Sequence, residues 1–256
     1  MTKMTLGAVV AAATLIGSLP VLAADLTQPL TYKAPPPAPI YNWSGFYIGA
    51  HLGGAWESRG FSRNSVLFPA LETDTITSSG VTGGGQIGYN WQFMPNWLAG
   101  IEADVSGANL SGSLITPSAP PSPATVGWTD NTHVFGTLRG RLGYVANNWL
   151  FYGTGGLAWD DSRFARNQLV AGPASPPAGL IAANTLTTIG WAAGAGVEWG
   201  FARNWTARIE YLHLDVDGGS YAFTSPSGAA GINTFTINPN HLRIDTVRVG
   251  ANYLFN

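Results

Sequence analysis

The sequence contains no cysteine and few charged residues. Without cysteine, the protein can form neither a disulfide framework nor a thiolate metal site. Asp, Glu, Lys and Arg together make up 10% of the 256 residues, whereas an ordinary soluble domain has about 25%. The formal net charge of −2 argues against a nucleic-acid partner, which requires a basic surface.

Long apolar runs are also missing beyond the N-terminus. After Asp25 no stretch approaches 18 apolar residues without a charge or a glycine, which excludes membrane-spanning helices. An exported soluble domain or a β-barrel remains. Glycine (33 residues) and tryptophan (10 residues) are abundant, and this composition suits a protein whose outer surface meets lipid.

The N-terminus has the order of features typical of a secretory signal peptide. A single cation, Lys3, precedes the uncharged run Leu6–Leu22, and the small residues Ala23 and Ala24 follow. We predict a signal peptide at residues 1–24, cleaved after Ala23 or Ala24. An uncleaved membrane anchor is the less favoured alternative, because it needs about 20 apolar residues.

Residues 25–40 contain the stretch KAPPPAP. They are predicted to form a proline-rich linker, with a recognition segment for a periplasmic partner as the alternative. Residues 41–256 then form the domain to be explained.

Two features recur four times in residues 41–256, with a common spacing of about 55 residues. The first is an Asn-Trp pair, at Asn42-Trp43, Asn96-Trp97, Asn148-Trp149 and Asn204-Trp205. The second is a strand of small residues that ends in an aromatic residue, at Tyr89, Tyr144, Trp199 and Tyr253. Each unit therefore has an outgoing and a returning strand, and four units give an eight-stranded antiparallel up-and-down transmembrane β-barrel.

The connections between these strands alternate in length. Those between units are short, and those within units are long: Glu57–Gly80, Gly107–Trp128, Asp160–Thr187 and Asp217–Asn240. Short periplasmic turns and long outer loops are typical of outer-membrane barrels. We therefore expect the four long segments to be loops at the cell surface.

The strands alternate between apolar and polar residues, which predicts a wall with two different faces. A soluble sheet alternates in the same way, so the position of the aromatic residues decides between the two. They cluster at the short-turn end and predict a girdle at a lipid interface. Its predicted members are Trp43, Trp97, Trp149, Trp205, Tyr89, Tyr144, Trp199 and Tyr253.

Charged residues fall on the opposite face of these strands, which predicts a balanced charge network inside the barrel. Its predicted members are Glu102, Asp104, Arg139, Arg141, Glu198, Arg208, Glu210 and Arg248. Four acids and four bases can fill the narrow bore of an eight-stranded barrel. An acid/base pair at Glu102 and Asp104 and an ion path are the weaker alternatives.

No other motif predicts a catalytic, metal or cofactor site. The run TGGGQIG lacks the lysine and hydroxyl residue of a phosphate-binding loop. The four histidines, His51, His133, His213 and His241, show no metal-ligand spacing. A serine nucleophile like that of barrel lipases cannot be singled out among the many serines. We therefore expect a protein that is not an enzyme and has no cofactor.

Several segments resemble the small outer-membrane β-barrel proteins of alphaproteobacteria, the porin-family or major surface antigen proteins with an OmpA/OmpX-like barrel. They are YNWSGFYIGAHLGGAW after APPPAP, GGGQIGYNWQ, YGTGGLAW, GWAAGAGVEW and WTARIEYLHLD. The resemblance covers residues 41–256. It implies a structural protein of the cell outer membrane that contributes to envelope integrity and contacts a host or phage.

The resemblance also implies partners and an assembly signal. Outer-membrane lipid and the barrel insertion machinery are expected partners, and Phe255 is the expected insertion signal, although Asn256 follows it. Some relatives are said to bind haemin, for which His241, Tyr221 and Phe223 in the loops are the candidates here. A small porin, a surface protein that binds haemin or a host ligand, and, last, a lipid-modifying barrel enzyme are the alternative functions.

Overall fold

The computed structural model describes residues 41–65, 68–117, 125–170, 179–218, 221–227 and 231–255. The predicted signal peptide and linker lie outside these residues. The strands are β1 Gly45–Ser65, β2 Phe68–Met94, β3 Trp97–Pro117, β4 Thr125–Ala146, β5 Trp149–Val170, β6 Gly179–Ala202, β7 Trp205–Val216, β8 Tyr221–Ser227 and β9 Gly231–Phe255. Within the described residues, no helix has both the length and the hydropathy needed to cross a membrane.

The strands close into a ring in which neighbours are antiparallel. Each strand from β1 to β7 pairs with the next in sequence except that β7 pairs with β9, and β9 pairs back onto β1. The closing register places Phe46 opposite Phe255. The short β8 pairs with the first part of β9, beyond the residues that pair with β7. The eight-stranded barrel predicted from the sequence is therefore confirmed, and ring closure removes the unpaired edges of the sheet.

Three of the four Asn-Trp repeats mark the tight turns at one end of the barrel, and the first, Asn42-Trp43, precedes β1. The asparagine side chains donate hydrogen bonds to the ends of the neighbouring hairpins: Asn96 to Val145 O (2.9 Å) and Asn204 to Leu254 O (2.7 Å). Their backbone oxygens accept hydrogen bonds from the same hairpins, as at Asn148 O, which lies 2.8 Å from Gly200 N. Each of these three asparagines therefore joins two adjacent hairpins, which explains why the pair recurs with the period of the hairpins, whereas Asn42 accepts a local hydrogen bond from Ser44 N.

The predicted long loops are largely strand, and this part of the prediction is wrong. Glu57 pairs with Ser78, and β1 and β2 stay paired as far as Ser65 and Phe68. The predicted segments Gly107–Trp128, Asp160–Thr187 and Asp217–Asn240 are also mostly paired strand where the structure describes them. Polar residues replace apolar ones on the outer face here, so the alternation of hydrophobicity ends although the backbone pairing continues.

The outer surface has one apolar band of nearly constant height. On β1 the outward residues are apolar from Phe46 to Trp56, and Ser58 follows. On β9 they are apolar from Phe255 to Val247, and Asp245 follows. With a rise of about 3.3 Å per residue and a tilt of about 40°, the stretch on β1 spans roughly 25 Å and that on β9 about 20 Å. This height matches the lipid-facing band of an outer-membrane barrel.

The interior is stacked in layers, beginning at the turn end. The basal apolar layer consists of Trp43, Leu98, Val145, Leu150 and Tyr152. Above it lies the charge layer, which contains the eight predicted acids and bases. The middle apolar layer follows, formed by Ala55, Leu110, Phe135, Ala158, Ala192, Leu212, Leu214, Val216, Leu242 and Ile244.

Two more layers lie above the height of the outer apolar band. The acid layer consists of Glu57, Arg59, Asp130 and Asp160, all buried. The upper aromatic layer consists of Phe61, Ile76, Val126, Trp128 and Phe164. Polar and apolar layers thus alternate along the bore, and buried charges are confined to two levels in the described part of the chain.

Candidate functional site

The charge layer brings together all eight predicted side chains, and each is no more than 4% exposed. At its centre, Arg139 contacts three carboxylates: Glu102 at 2.6 Å, Asp104 at 3.0 Å and Glu210 at 3.2 Å. Arg139 and Glu102 are direct partners across β3 and β4. This local pair is the one that the sequence pattern predicts most directly.

Other ion pairs cross the bore between strands that are not neighbours. Arg208 on β7 lies 2.5 Å from Glu102 on β3, and Arg248 on β9 lies 3.0 Å from Asp104. Arg141 on β4 reaches Glu198 on β6 at 2.7 Å. Because acids and bases balance and are linked across the bore, the layer forms one connected network of charge-assisted hydrogen bonds.

Two tyrosines complete the network, and the sequence analysis did not find them. The hydroxyls of Tyr47 and Tyr152 donate hydrogen bonds of 2.7 Å to Glu102 and Glu210, respectively. The Arg141 guanidinium lies 4.0 Å from the centre of the Tyr152 ring. Tyr47 and Tyr152 are 105 residues apart and occupy equivalent inward positions after an Asn-Trp pair. This recurrence was the signal that could have identified both.

The tyrosine rings fit because glycine stands beside them. Tyr47 pairs with Gly88, and Tyr152 pairs with Gly196. A Cβ atom at Gly196 would lie 2.6 Å from the Tyr152 ring, and one at Gly88 would lie 2.3 Å from the Tyr47 hydroxyl oxygen. Each ring therefore occupies the space of a missing side chain, which holds the hydroxyl in reach of its carboxylate.

The acid layer is a second buried charged group, and it lies in segments that were predicted to be loops. Arg59 Nε is 2.5 Å from Asp130 Oδ2, and Arg59 Nη2 is 3.6 Å from Asp160 Oδ2. Thr188 donates a short hydrogen bond to Asp160, and Ser78 donates one of 3.3 Å to Glu57. The alternation of inward and outward residues continues after Trp56, and this was the signal that could have predicted the acid layer.

The acid layer carries more carboxylates than guanidinium groups among the residues that the structure describes. Burial raises the pKa of Glu57 to about 8; the neighbouring Asp130 carboxylate adds to the rise and Arg59 opposes it. Burial also raises the pKa of Asp130 and of Asp160. Protonation of this layer therefore reduces like-charge repulsion inside the half of the barrel away from the tight turns.

Seven of the eight predicted girdle residues face outward at the turn end. They form cross-strand aromatic pairs: Trp97 with Tyr144, Trp149 with Trp199, and Trp205 with Tyr253, while Tyr89 packs against Phe46. Phe46, Trp91, Phe93, Phe151 and Phe201 are exposed on the same side of the wall and were missed. The signal for them was the outward alternation, because Trp91 and Phe93 continue it from Tyr89, Phe151 from Trp149 and Phe201 from Trp199.

Trp43 does not belong to the girdle, and its assignment there is wrong. It is fully buried in the basal apolar layer, with its ring 4.7 Å from that of Tyr41. Its Nε1 lies 3.4 Å from Asn147 O at the neighbouring turn. Trp43 precedes the first strand, which begins at Gly45, so its direction follows the entering chain and not the strand alternation.

The remaining predicted residues occupy separate places. Phe255 faces outward beside Tyr253, with ring centres 5.0 Å apart. His51 lies in the bore between Gln86 and Ser106, and His241 contacts Asp215 at 2.6 Å. No group of three or more potential ligands that could hold a metal ion occurs among the described residues. The side chains of Tyr221 and Phe223 lie outside that part of the structure.

Comparison with known proteins gives consistent results. The family model "Outer membrane protein beta-barrel domain" matches residues 10–255. The 31 kDa outer-membrane immunogenic protein of Brucella melitensis is 33% identical over 233 residues, which cover 87% of this chain and 89% of that protein. The 22 kDa outer membrane protein of Rhizobium leguminosarum is 29% identical over 198 residues, which cover 77% of this chain and 75% of that protein.

A solved structure with a similar chain path is the outer membrane protein OprG of Pseudomonas aeruginosa. It is 12% identical, with a TM-score of 0.45, and the match covers 83% of this chain and 97% of that one.

The family match covers nearly the whole chain. This family match, together with the closed ring of eight strands and the apolar outer band, shows that the chain belongs to the family of outer-membrane β-barrel proteins. The chain is therefore a protein of the outer membrane.

Proposed function

We propose that the protein is a non-enzymatic structural barrel whose bore is closed and whose outer half presents a surface to the exterior. The observation that carries the proposal is the charge layer, in which four acids and four bases are buried and linked across the bore. An eight-stranded barrel has an interior just wide enough for side chains to fill. These side chains fill it at the height of the membrane.

The middle apolar layer supports a closed bore independently of the charges. Leu212, Leu214, Leu242 and Ile244 are fully buried in it, as is Phe135. An ion that passed this level would lose its water without gaining polar partners, and such desolvation is costly in an apolar medium. An apolar layer directly above a charge layer of zero net charge therefore opposes the passage of ions.

The outer half of the barrel supports the role at the cell surface. Beyond the apolar band, β1 stays paired with β2 and β9, and β3 to β6 stay paired with one another, with serine, threonine and asparagine facing outward. This surface is uncharged over much of its area, and most of its backbone is hydrogen-bonded. This surface is suited to contacts with neighbouring envelope components or with a host. The barrel as a whole contributes to envelope integrity because it spans the membrane without a pore.

Planar-bilayer conductance of the purified, folded full-length protein tests the closed bore. We expect no steady channel conductance from the wild type. A variant with both Glu102→Ala and Arg139→Ala serves as the reference, since it removes two side chains from the charge layer but leaves the middle apolar layer intact. A large and steady wild-type conductance would identify the protein as a pore and overturn the proposal.

A further inference from the structure

A groove crosses the outside of the barrel at the upper limit of the apolar band. It has a volume of about 610 Å³ and spans strands β9, β1, β2 and β3, and small-molecule sites have volumes of about 300–1,000 Å³. Six of its eight lining residues face outward: Trp56, Ser58, Thr77, Ser79, Ser111 and Asp245. The other two, Glu57 and Ser78, face inward and form the floor of the groove beside the acid layer.

Trp56 provides an aromatic surface for this groove. Its side chain is 52% exposed, and its ring atom Cη2 lies 3.8 Å from the position that a Cβ atom would take at Gly54. The ring is therefore folded down over Gly54 along the barrel wall. The face of an aromatic ring carries partial negative charge, so it attracts the slightly positive C–H groups on the flat face of a sugar ring.

Asp245 supplies a carboxylate that is already held in place. It is the direct cross-strand partner of Trp56. Its Oδ1 accepts a hydrogen bond of 2.5 Å from the Tyr211 hydroxyl and lies 2.7 Å from His213 Nδ1. Both contacts are to the same oxygen, so the other oxygen remains an acceptor for a ligand hydroxyl.

The rest of the groove is lined with hydroxyl groups. Ser79 is the partner of Trp56 on the other side, and Ser58 pairs with Thr77. Each hydroxyl can donate one hydrogen bond and accept others. An aromatic face, an oriented carboxylate and several hydroxyls match a ligand that has an apolar face and an edge of hydroxyl groups. The carboxylate disfavours an anionic ligand.

The height of the groove indicates where such a ligand comes from. Trp56 is the last apolar outward residue of β1, and Ser58 lies above it, so the groove opens at the boundary between acyl chains and head groups. We propose that this groove binds a neutral sugar head group of a glycolipid in the outer leaflet, with the sugar ring against Trp56 and its hydroxyls on Asp245.

The proposal is tested with the full-length protein in nanodiscs that contain phosphatidylcholine and a minor fraction of monoglucosyl diacylglycerol with the same acyl chains. Native mass spectrometry counts the lipids that remain bound after release. We expect the wild type to retain the glucolipid in preference to phosphatidylcholine. Trp56→Ala and Asp245→Asn should each lower this preference about tenfold, and Trp56→Phe should keep part of it.

Two matched variants control for general effects. Trp91→Ala removes an exposed tryptophan at the opposite end of the barrel, and Asp161→Asn neutralises an outward carboxylate on β5; both should bind as the wild type does. Heat-modifiable migration on gels verifies that each variant is folded. Equal retention of the two lipids by the wild type, or equal losses in the control variants, would overturn the proposal and leave Trp56 as an interface anchor only. Displacement of the glucolipid by an equal concentration of methyl glucoside would overturn the assignment to the leaflet.

Discussion

Arg141 Nη2 lies 2.7 Å from Glu198 Oε2, and the two side chains reach each other across the bore from β4 and β6 with β5 between them. Both are about 1% exposed. Glu198 also accepts hydrogen bonds from Thr206 (2.5 Å) and Asn252 (2.8 Å). This pair and its partners therefore tie four strands, β4, β6, β7 and β9, to one point inside the barrel.

Replacing one member of this pair should destabilise the barrel more than replacing both. Arg141→Met or Glu198→Met removes the closest ionic partner of a buried charge, which costs about 3–5 kcal/mol, while Arg141 keeps a longer contact of 3.8 Å with Glu102. The double replacement removes both charges, and we expect it to lose less than either single one. The free energy of unfolding in urea, followed by the gel shift of the folded barrel, measures the difference. Single variants as stable as the wild type would show that these charges meet water.

At Arg139 and Glu102, the double replacement should recover less of the stability that the single replacements lose. Arg139 also contacts Asp104 and Glu210, so these two carboxylates keep a reduced set of partners when the pair is removed. Recovery equal to that of the Arg141–Glu198 pair would contradict the connected network seen in the charge layer.

Gly196→Ala should destabilise the barrel because it displaces a ring of the network. The new methyl group would lie 2.6 Å from Tyr152, whose hydroxyl bonds to Glu210 at 2.7 Å. Overpacking of this kind costs about 1–3 kcal/mol. Gly153→Ala is the matched control on the outer face, where the nearest atom is 4.0 Å away. Urea unfolding should separate the two variants, and equal stability would refute the role of Gly196.

The acid layer predicts a pH dependence of stability. The folded-state pKa of Glu57 is raised from 4.5 to about 8, so in this interval the folded state binds a proton that the unfolded state has released. Stability should therefore fall as pH rises from about 4.5 to about 8 and level off above it. The raised pKa values of Asp130 and Asp160 act in the same direction.

Glu57→Gln tests this dependence, because it removes the titrating group and keeps its shape. The temperature at which the folded band disappears should fall less between pH 5 and pH 8.5 in this variant than in the wild type. Asp217→Asn, at an exposed position just after β7, should leave the wild-type profile unchanged. Parallel profiles for wild type and Glu57→Gln would rule out Glu57 as the source.

Phe255→Ala should reduce assembly in cells more than it reduces stability. Phe255 is the last described residue of β9 and is 58% exposed, so its packing contribution is small. If it is the insertion signal, the folded fraction in outer membranes should fall while refolded protein stays nearly as stable as the wild type. Phe201→Ala removes another exposed phenylalanine at the same end and is the control. Normal surface levels of Phe255→Ala would remove Phe255 from this role.

The orientation of the barrel can be tested by cysteine labelling, since the chain has no cysteine of its own. Thr73→Cys lies on the outer half of β2 and should react with an impermeant maleimide on intact cells. Pro95→Cys lies in a turn and should react only after the outer membrane is permeabilised. The reverse pattern would place the turns at the cell surface.

The sequence alone was sufficient to predict the number of strands, the outer-membrane location and the family. These properties depend on local patterns: the alternation of outward residues, the recurrent Asn-Trp turns and the balance of inward acids and bases. The alternation misled at Ser58 and beyond, because outward serine and threonine resemble loop sequence although the strands remain paired.

Contacts across the bore required the tertiary structure. Sequence spacing assigns Glu102 and Arg139 to neighbouring strands, but the contact of Arg208 with Glu102 depends on strand tilt and ring closure. The burial of Trp43 depends on the path of the chain before β1, which no strand periodicity describes. An alternating pattern determines which face of the wall a side chain occupies, whereas its partner inside the barrel is decided only when the ring closes.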